Sequence, residues 1–349
     1  MRYHGQRVLT ICRYFCVAGV NQRIRQLDLE AAELRARAWA PGTWRTKSSQ
    51  WKRYIQFSDY VSTTALPTDT VHMCRYVTHL SKTLKYSTIQ NYVSGVISLN
   101  SYFGYDVKFI RSQFDFIMTL SGVRRVLGDP EPVRPSFTLE DIFRMYEFVD
   151  MSLLRDRVLW TCIALSFRGL LRKCNIVPDS TKTMEGHFLR RGGVSFTNWG
   201  MEIAVSSSKT IQYGQRVHKV PITFAPLSPL CAATLVRRHL EEFPDRGSDS
   251  PVFVLPDGAG VKPVTYIVLL KFLKRLMRSA GLPSERAGMH SLRRAGALYM
   301  YRLGLTIEDI RQAGDWASMA ALVYLTKPYS LRVDTDAIVS RCLSAGVSV

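Results

Sequence analysis

Leu127-Gly-Asp-Pro-Glu-Pro-Val-Arg-Pro135 is the stretch that most limits how this chain can fold. Each of its three prolines removes a backbone donor and fixes φ, so neither a helix nor a central strand can run through it. It has no hydrophobic periodicity, and the patterning on its two sides differs, which makes it the natural domain boundary. Pro-rich linkers favour extended conformers, so this one separates the two units as an extended spacer. Before it, residues 28–126 read as helical. Trp44, Lys47, Trp51, Tyr54 and Ile55 follow helical spacing, and Val71 to Leu80 forms a second amphipathic run. Ser87-Thr88-Ile89 opens a third with capping hydroxyls, and Phe109 to Arg125 is a fourth. After the linker, Thr138 with Glu140 and Asp141 opens a helix, and Leu153 to Leu171 gives an apolar one. Residues 193–197, 201–207 and 216–222 then read as three short strands with turns at Asn198-Trp-Gly200 and Tyr213-Gly214. Helical patterning resumes at about 229–243, 263–280, 289–303, 306–313, 317–326 and 332–343. The expected architecture is mainly α: a leader at 1–27, a helical domain at 28–126, a linker at 127–137, and a mixed α/β domain with a small antiparallel sheet at 138–349.

Charge narrows the partner. Lys and Arg number 47 against 28 Asp and Glu, a formal net charge of +19, which points to a polyanion: nucleic acid or an anionic membrane surface. No run of eighteen apolar residues offers a spanning helix. Leu9 to Val20 is weakly apolar, but Arg13 interrupts it and no small-residue cleavage site follows, so a signal peptide is not expected. Seven cysteines without paired CxxC spacing suit reduced thiols in an intracellular protein. The chain shows no P-loop, no GxGxxG after a strand, and no Asp/Glu/His cluster with two-metal spacing. Neither a cofactor nor a small-molecule substrate is expected.

A phosphodiester chemistry built from this chain must therefore stabilise charge with side chains. In-line attack places negative charge on the non-bridging oxygens, which an arginine fork meets with two parallel bonds. An acid must protonate the departing oxygen, and a nucleophile must attack opposite it. Candidates for these roles lie in order along the chain. Arg172 follows a buried helix in Phe167-Arg-Gly-Leu-Leu-Arg172, and Lys209 sits in Ser206-Ser-Ser-Lys-Thr210 between strands. His290 and Arg293 are three apart at a helix start, hence neighbours on one face. Trp316 follows Gln312-Ala-Gly-Asp315, and Tyr324 lies eight residues further on. Each taken singly has an ordinary structural explanation; five such elements in order are not well explained by chance.

In this pattern the chain resembles the tyrosine recombinase (phage integrase) family over roughly residues 40–343. Gly169-Leu-Leu-Arg172 looks like the first arginine box, Lys209 like the hairpin lysine, and His290-Ser-Leu-Arg293 like the second box. Gln312-Ala-Gly-Asp-Trp316 looks like the tryptophan form of Cre-type members. The short step from Trp316 to Tyr324, and Ser208-Lys-Thr-Ile-Gln-Tyr-Gly214, look more like recombinases of eukaryotic DIRS-, Ngaro- and Crypton-type mobile elements. The resemblance implies a core-binding domain before the linker and a catalytic domain after it. Tyr324 would attack the scissile phosphate, Arg172 and Arg293 would clamp its oxygens, and Trp316 would add a hydrogen bond. Lys209 would protonate the leaving 5′ oxygen, and His290 would assist proton transfer. It also implies double-stranded DNA as partner, a homo-tetramer on paired sites, no membrane, no metal or ATP, and a nuclear location in a eukaryotic host. The pattern departs in one place: the acidic residue usual three positions after the first arginine is Asn175. Tyr329, after Lys327-Pro328, is the rival nucleophile, disfavoured because the proline directly before it breaks helical presentation. An inactive, domesticated DNA-binding protein and a type IB topoisomerase-like relaxing enzyme are the alternative readings.

Overall fold

The computed structural model describes residues 22–129, 137–181, 186–208, 210–244, 246–285 and 287–316. The linker prolines, Lys209, Tyr324, Tyr329 and the helices expected at 317–326 and 332–343 lie outside these residues. The chain divides into two compact units, one ending at Pro132 and the other beginning at Val133. No helix of the described residues is long and apolar enough to cross a membrane.

The first unit is helical. Its helices are α1 (Gln22–Arg37), α2 (Pro41–Tyr60), α3 (Thr70–Ser81), α4 (Tyr86–Tyr102) and α5 (Phe114–Leu127). Helix α1 starts six residues before the expected boundary at 28 and buries none of its residues, so the expected leader overlaps an exposed helix that its weak apolar content hid. Proline at the start of α2 is tolerated because the first helical amide has no partner to lose. Asp69 caps α3, its carboxylate accepting from the His72 amide at 2.6 Å. Trp51, Tyr54, Phe57, Met73, Tyr76, Leu80, Ile89, Val96 and Leu99 make the core. Gly95 lets α4 approach α2, since a Cβ there would meet the Gln50 side chain at 2.5 Å. The Trp51 indole uses that gap to donate to the Gly95 carbonyl at 2.9 Å.

The second unit is built around α7 (Leu154–Arg168), which is buried on every side from Asp156 to Phe167. Helix α6 (Leu139–Tyr146) precedes it, opened by a Thr138–Asp141 capping box. A three-stranded antiparallel sheet follows in the order β1 (Val194–Phe196), β2 (Gly200–Val205), β3 (His218–Thr223), with Ile203 opposite Val220. Then come α8 (Ala232–Glu242), α9 (Tyr266–Ser279), α10 (Met289–Arg302) and α11 (Ile307–Ala313). A second hairpin, β4 (Val254–Asp257) with β5 (Gly260–Pro263), was not among the expected elements. Pro256 and Pro263 mask its strand pattern, although Asp257-Gly258 is a strong turn signal and Gly258 has φ +58°. The helix expected from 263 accordingly begins at Tyr266. The overall class is mainly α with a small antiparallel sheet, as the patterning implied.

Candidate active site

Helix α7 ends at Gly169, and the next residue, Leu170, has a left-handed backbone with φ +48°. That bend turns the Leu170 carbonyl toward α10. Gly296 makes the approach of α10 possible, because a Cβ there would meet the Phe167 carbonyl at 2.2 Å and Leu170 at 2.6 Å. One turn earlier on α10 stands Arg293, 2% exposed. Its two terminal nitrogens donate to the carbonyls of Leu170 and Gly314. The fork thus joins the end of α7 to the end of α11.

After α11 the chain folds back sharply. A Cβ on Gly314 would lie 1.7 Å from the Trp316 ring, so only glycine lets the indole turn inward. Trp316 packs with Leu170, Ala297 and Ile310, and the Arg293 guanidinium lies 4.2 Å from its ring centroid. A buried cation over an indole face gains on the order of 1–2 kcal/mol. Between them, Asp315 takes φ +52° and points its carboxylate the other way. Ser62, Leu170 and Asp315 are the non-glycine residues with positive φ among the described residues, and two of them border this site. Such backbone costs about 1–3 kcal/mol per residue and collects where a site needs it.

The Asp315 carboxylate, 7% exposed, gathers groups from three segments. Ser208 donates to it at 3.2 Å, and Thr210 and Arg216 donate through shorter bonds. Arg172 approaches the same carboxylate at 3.8 Å and donates to the Asp315 carbonyl at 3.3 Å. Burial pushes this carboxyl up, but the Thr210 hydroxyl and the Arg216 guanidinium outweigh it and hold it below the ordinary carboxylate range. The His218 imidazole faces the Ala313 carbonyl at 3.3 Å, and burial lowers its pKa.

Asn175 sits 3% exposed on a 3₁₀ turn (Lys173–Asn175) and donates its amide to the Ser207 carbonyl at 3.0 Å and the His187 carbonyl at 3.4 Å. A carboxylate is acceptor-only and could make neither bond. The residue that departs from the expected acid is therefore the one this geometry requires.

Arg172, Arg293 and Trp316, which the sequence singled out, come together here. His290 stands exposed on the first turn of α10 and is not among the residues that line the cavity. Lys209 lies between Ser208 and Thr210 in the chain and Tyr324 beyond the described residues. The sequence reading passed over Asp315, Arg216 and His218. Asp315 had a signal, its place inside Gly-Asp-Trp; Arg216 and His218 had none beyond following the lysine in the chain. The cavity these groups enclose has a volume of about 10 Å³, room for one water and too little for a phosphate. Its walls include Arg172, Arg293 and the Asp315 carboxylate.

No family model matches the chain, and no curated protein is similar to it in sequence. Solved structures are similar in fold. The integrase of transposon Tn1549, in complex with transposon right-end DNA, aligns with 90% of this chain and 98% of its own at TM-score 0.62 and 14% identity. A lambda integrase dimer bound to a core site aligns with 88% of this chain and 98% of its own, at TM-score 0.57 and 14% identity. XerH site-specific recombinase on its palindromic difH substrate aligns with 74% of this chain and 69% of its own, at TM-score 0.52 and 18% identity. The chain has the tyrosine recombinase fold.

Proposed function

We propose that this protein cuts and rejoins double-stranded DNA through a 3′-phosphotyrosyl intermediate, as a site-specific recombinase. The observation that carries the reading is the convergence of Arg172, Arg293 and Trp316, widely separated in the chain, on one buried site within this fold. Tyr324 attacks phosphorus and releases the 5′ oxygen. The two arginines bind the non-bridging oxygens, where planar forks offer paired charge-assisted bonds. Trp316 backs the Arg293 guanidinium and holds it in plane. Lys209 gives its proton to the leaving oxygen, and His290 assists at the tyrosine. The phosphotyrosine retains the bond energy, so religation needs neither ATP nor metal. The DNA-bound neighbours favour a duplex partner. A mobile-element origin and a tetramer exchanging two duplexes extend the same reading, with the helical unit as core-binding domain.

A second reading, a DNA-binding protein that no longer cuts, draws on the carboxylate inside the cavity and the small space around it. Covalent trapping separates the two. Incubated with a pool of nicked duplexes of random sequence, the protein is expected to form an adduct that survives denaturation. Tyr324→Phe abolishes it and Tyr329→Phe preserves it. An adduct that persists in Tyr324→Phe would reassign the nucleophile, and no adduct in the wild type would favour the non-cutting reading.

A further inference from the structure

Asp315 organises the site, yet the strand-transfer reaction as described gives it no part. Its carboxylate accepts from Ser208 and Thr210, the residues on either side of Lys209 in the chain. The same group pairs with Arg216 and faces Arg172. Its own backbone is fixed from both sides: the Asp315 amide donates to Gln312 at 3.1 Å, and the Trp316 amide donates to Arg311 at 3.0 Å. Asn175 meets the same segment from elsewhere in the unit through the Ser207 carbonyl. Ser207 is thus held by an amide donor, and Ser208 and Thr210 by one carboxylate acceptor.

We propose that Asp315 is a positioning residue: its carboxylate holds Ser208 and Thr210, the chain neighbours of Lys209, together with Arg172 and Arg216, in the arrangement that strand cleavage uses. This rests on the strand-transfer reading above. The chemistry of the group favours positioning over direct participation. An ionised carboxylate has no proton to give to a departing oxygen, and beside a phosphate it repels. It has about four lone-pair sites, enough to accept from two hydroxyls and two guanidinia at once. The two Ser/Thr hydroxyls also bond to each other at 2.9 Å, so the carboxylate fixes the orientation of both side chains together. Arg216 has a defined place in this scheme: it balances the charge of Asp315, leaving Arg172 and Arg293 to meet the phosphate.

Leaving-group chemistry tests this. An alkoxide needs a proton as it departs, whereas a thiolate, whose conjugate acid has a pKa near 8.5, leaves without one. The duplex recovered from the random pool is made in two forms, one with the ordinary 5′ oxygen and one with sulfur at that bridging position. Asp315→Asn is expected to slow adduct formation on the oxygen duplex on the order of 100-fold with DNA retention unchanged, and to approach the wild-type rate on the sulfur duplex. Ser208→Ala combined with Thr210→Val leaves Asp315 and the arginines in place, and is expected to show the same sulfur-restored loss even if Asp315→Asn folds poorly. Cleavage of the oxygen duplex at the wild-type rate or faster in both variants overturns the proposal, the faster case marking Asp315 as an occupant of the anion seat. A loss that sulfur leaves uncorrected in both variants also overturns it. If the wild type forms no adduct on either duplex, the parent reading fails and this inference falls with it.

Discussion

The two units differ in what they bury. Among the described residues, the interior of the first unit holds neutral polar groups only: Gln50, Ser58, Thr68, His72 and Asn100. Ser58, Thr68, His72 and Asn100 among them are hydrogen-bonded, Tyr54 donating to Thr68 at 2.6 Å and the Thr68 amide to Asn100 at 3.0 Å. Burial takes the Tyr54 phenol up to about 12, so it stays a neutral donor. Around them, Trp39, Trp44, Trp51 and Tyr102 pack ring against ring. The second unit buries Asp156, Arg157, Arg293, Arg294 and Asp315. Asp156 and Arg157 serve the frame, pairing with Arg275 and Glu242. Arg293 and Asp315 line the cavity. Taking a charge out of water costs several kcal/mol, and apolar residues of equal volume often stabilise as well or better. Two of the five, Arg293 and Asp315, meet at one small cavity.

The largest expected effect comes from Arg293→Lys, which retains the charge and loses the fork that spans Leu170 and Gly314. Adduct formation falls about 100- to 1000-fold, measured on denaturing gels, while retention of DNA in native gels changes little. Equal activity in the lysine variant would show that charge alone suffices and would remove the argument from geometry. In the first unit the corresponding break is Trp51→Ala, expected to lower stability by about 3–5 kcal/mol in urea unfolding through loss of the indole and its bond to Gly95. A comparable loss of cleavage at temperatures where this variant remains folded would contradict the division of labour.

Acidification gives a smaller effect. Burial holds the His239 imidazole down to about 4, so in the folded state it stays neutral while the unfolded imidazole takes a proton below 6.5. Stability therefore falls as pH drops from 6.5 towards 4, by at most roughly 3 kcal/mol. His239→Gln should flatten that slope in urea midpoints measured across the window; an unchanged slope would place the titration elsewhere. Asp315 runs in the same sense at lower pH. Its depressed carboxyl stabilises above the ordinary 3.8 and loses that contribution as pH falls through the folded value, so wild type and Asp315→Asn should converge in stability in strong acid.

Much of the frame was legible because it depends on short-range pattern. The run of helices before Pro130, the hydroxyl and acid pair that opens α6, and the alternation in β2 and β3 are written in adjacent residues. The start of α1 and the β4–β5 hairpin were not, the first because an exposed helix has little apolar stripe, the second because prolines break its alternation. The arginines were legible as residue types in order. What the carboxylate of Asp315 does was not: its partners come from 172, 208, 210 and 216, and a left-handed backbone that no local pattern demands aims it at them. The amide of Asn175 is the same kind of case. As a sequence it is a missing acid, and in the fold it is a donor facing two carbonyls.

The central claim is that the charges of the second unit are arranged around a DNA phosphate that becomes bonded to Tyr324. Mass spectrometry of the nuclease- and protease-digested adduct, formed with EDTA present, tests it most directly. The account predicts a nucleotide joined through its 3′ phosphate to the peptide that carries Tyr324. A nucleotide joined through a 5′ phosphate, one on a peptide without Tyr324, or an adduct that forms only when a divalent metal is supplied would contradict it.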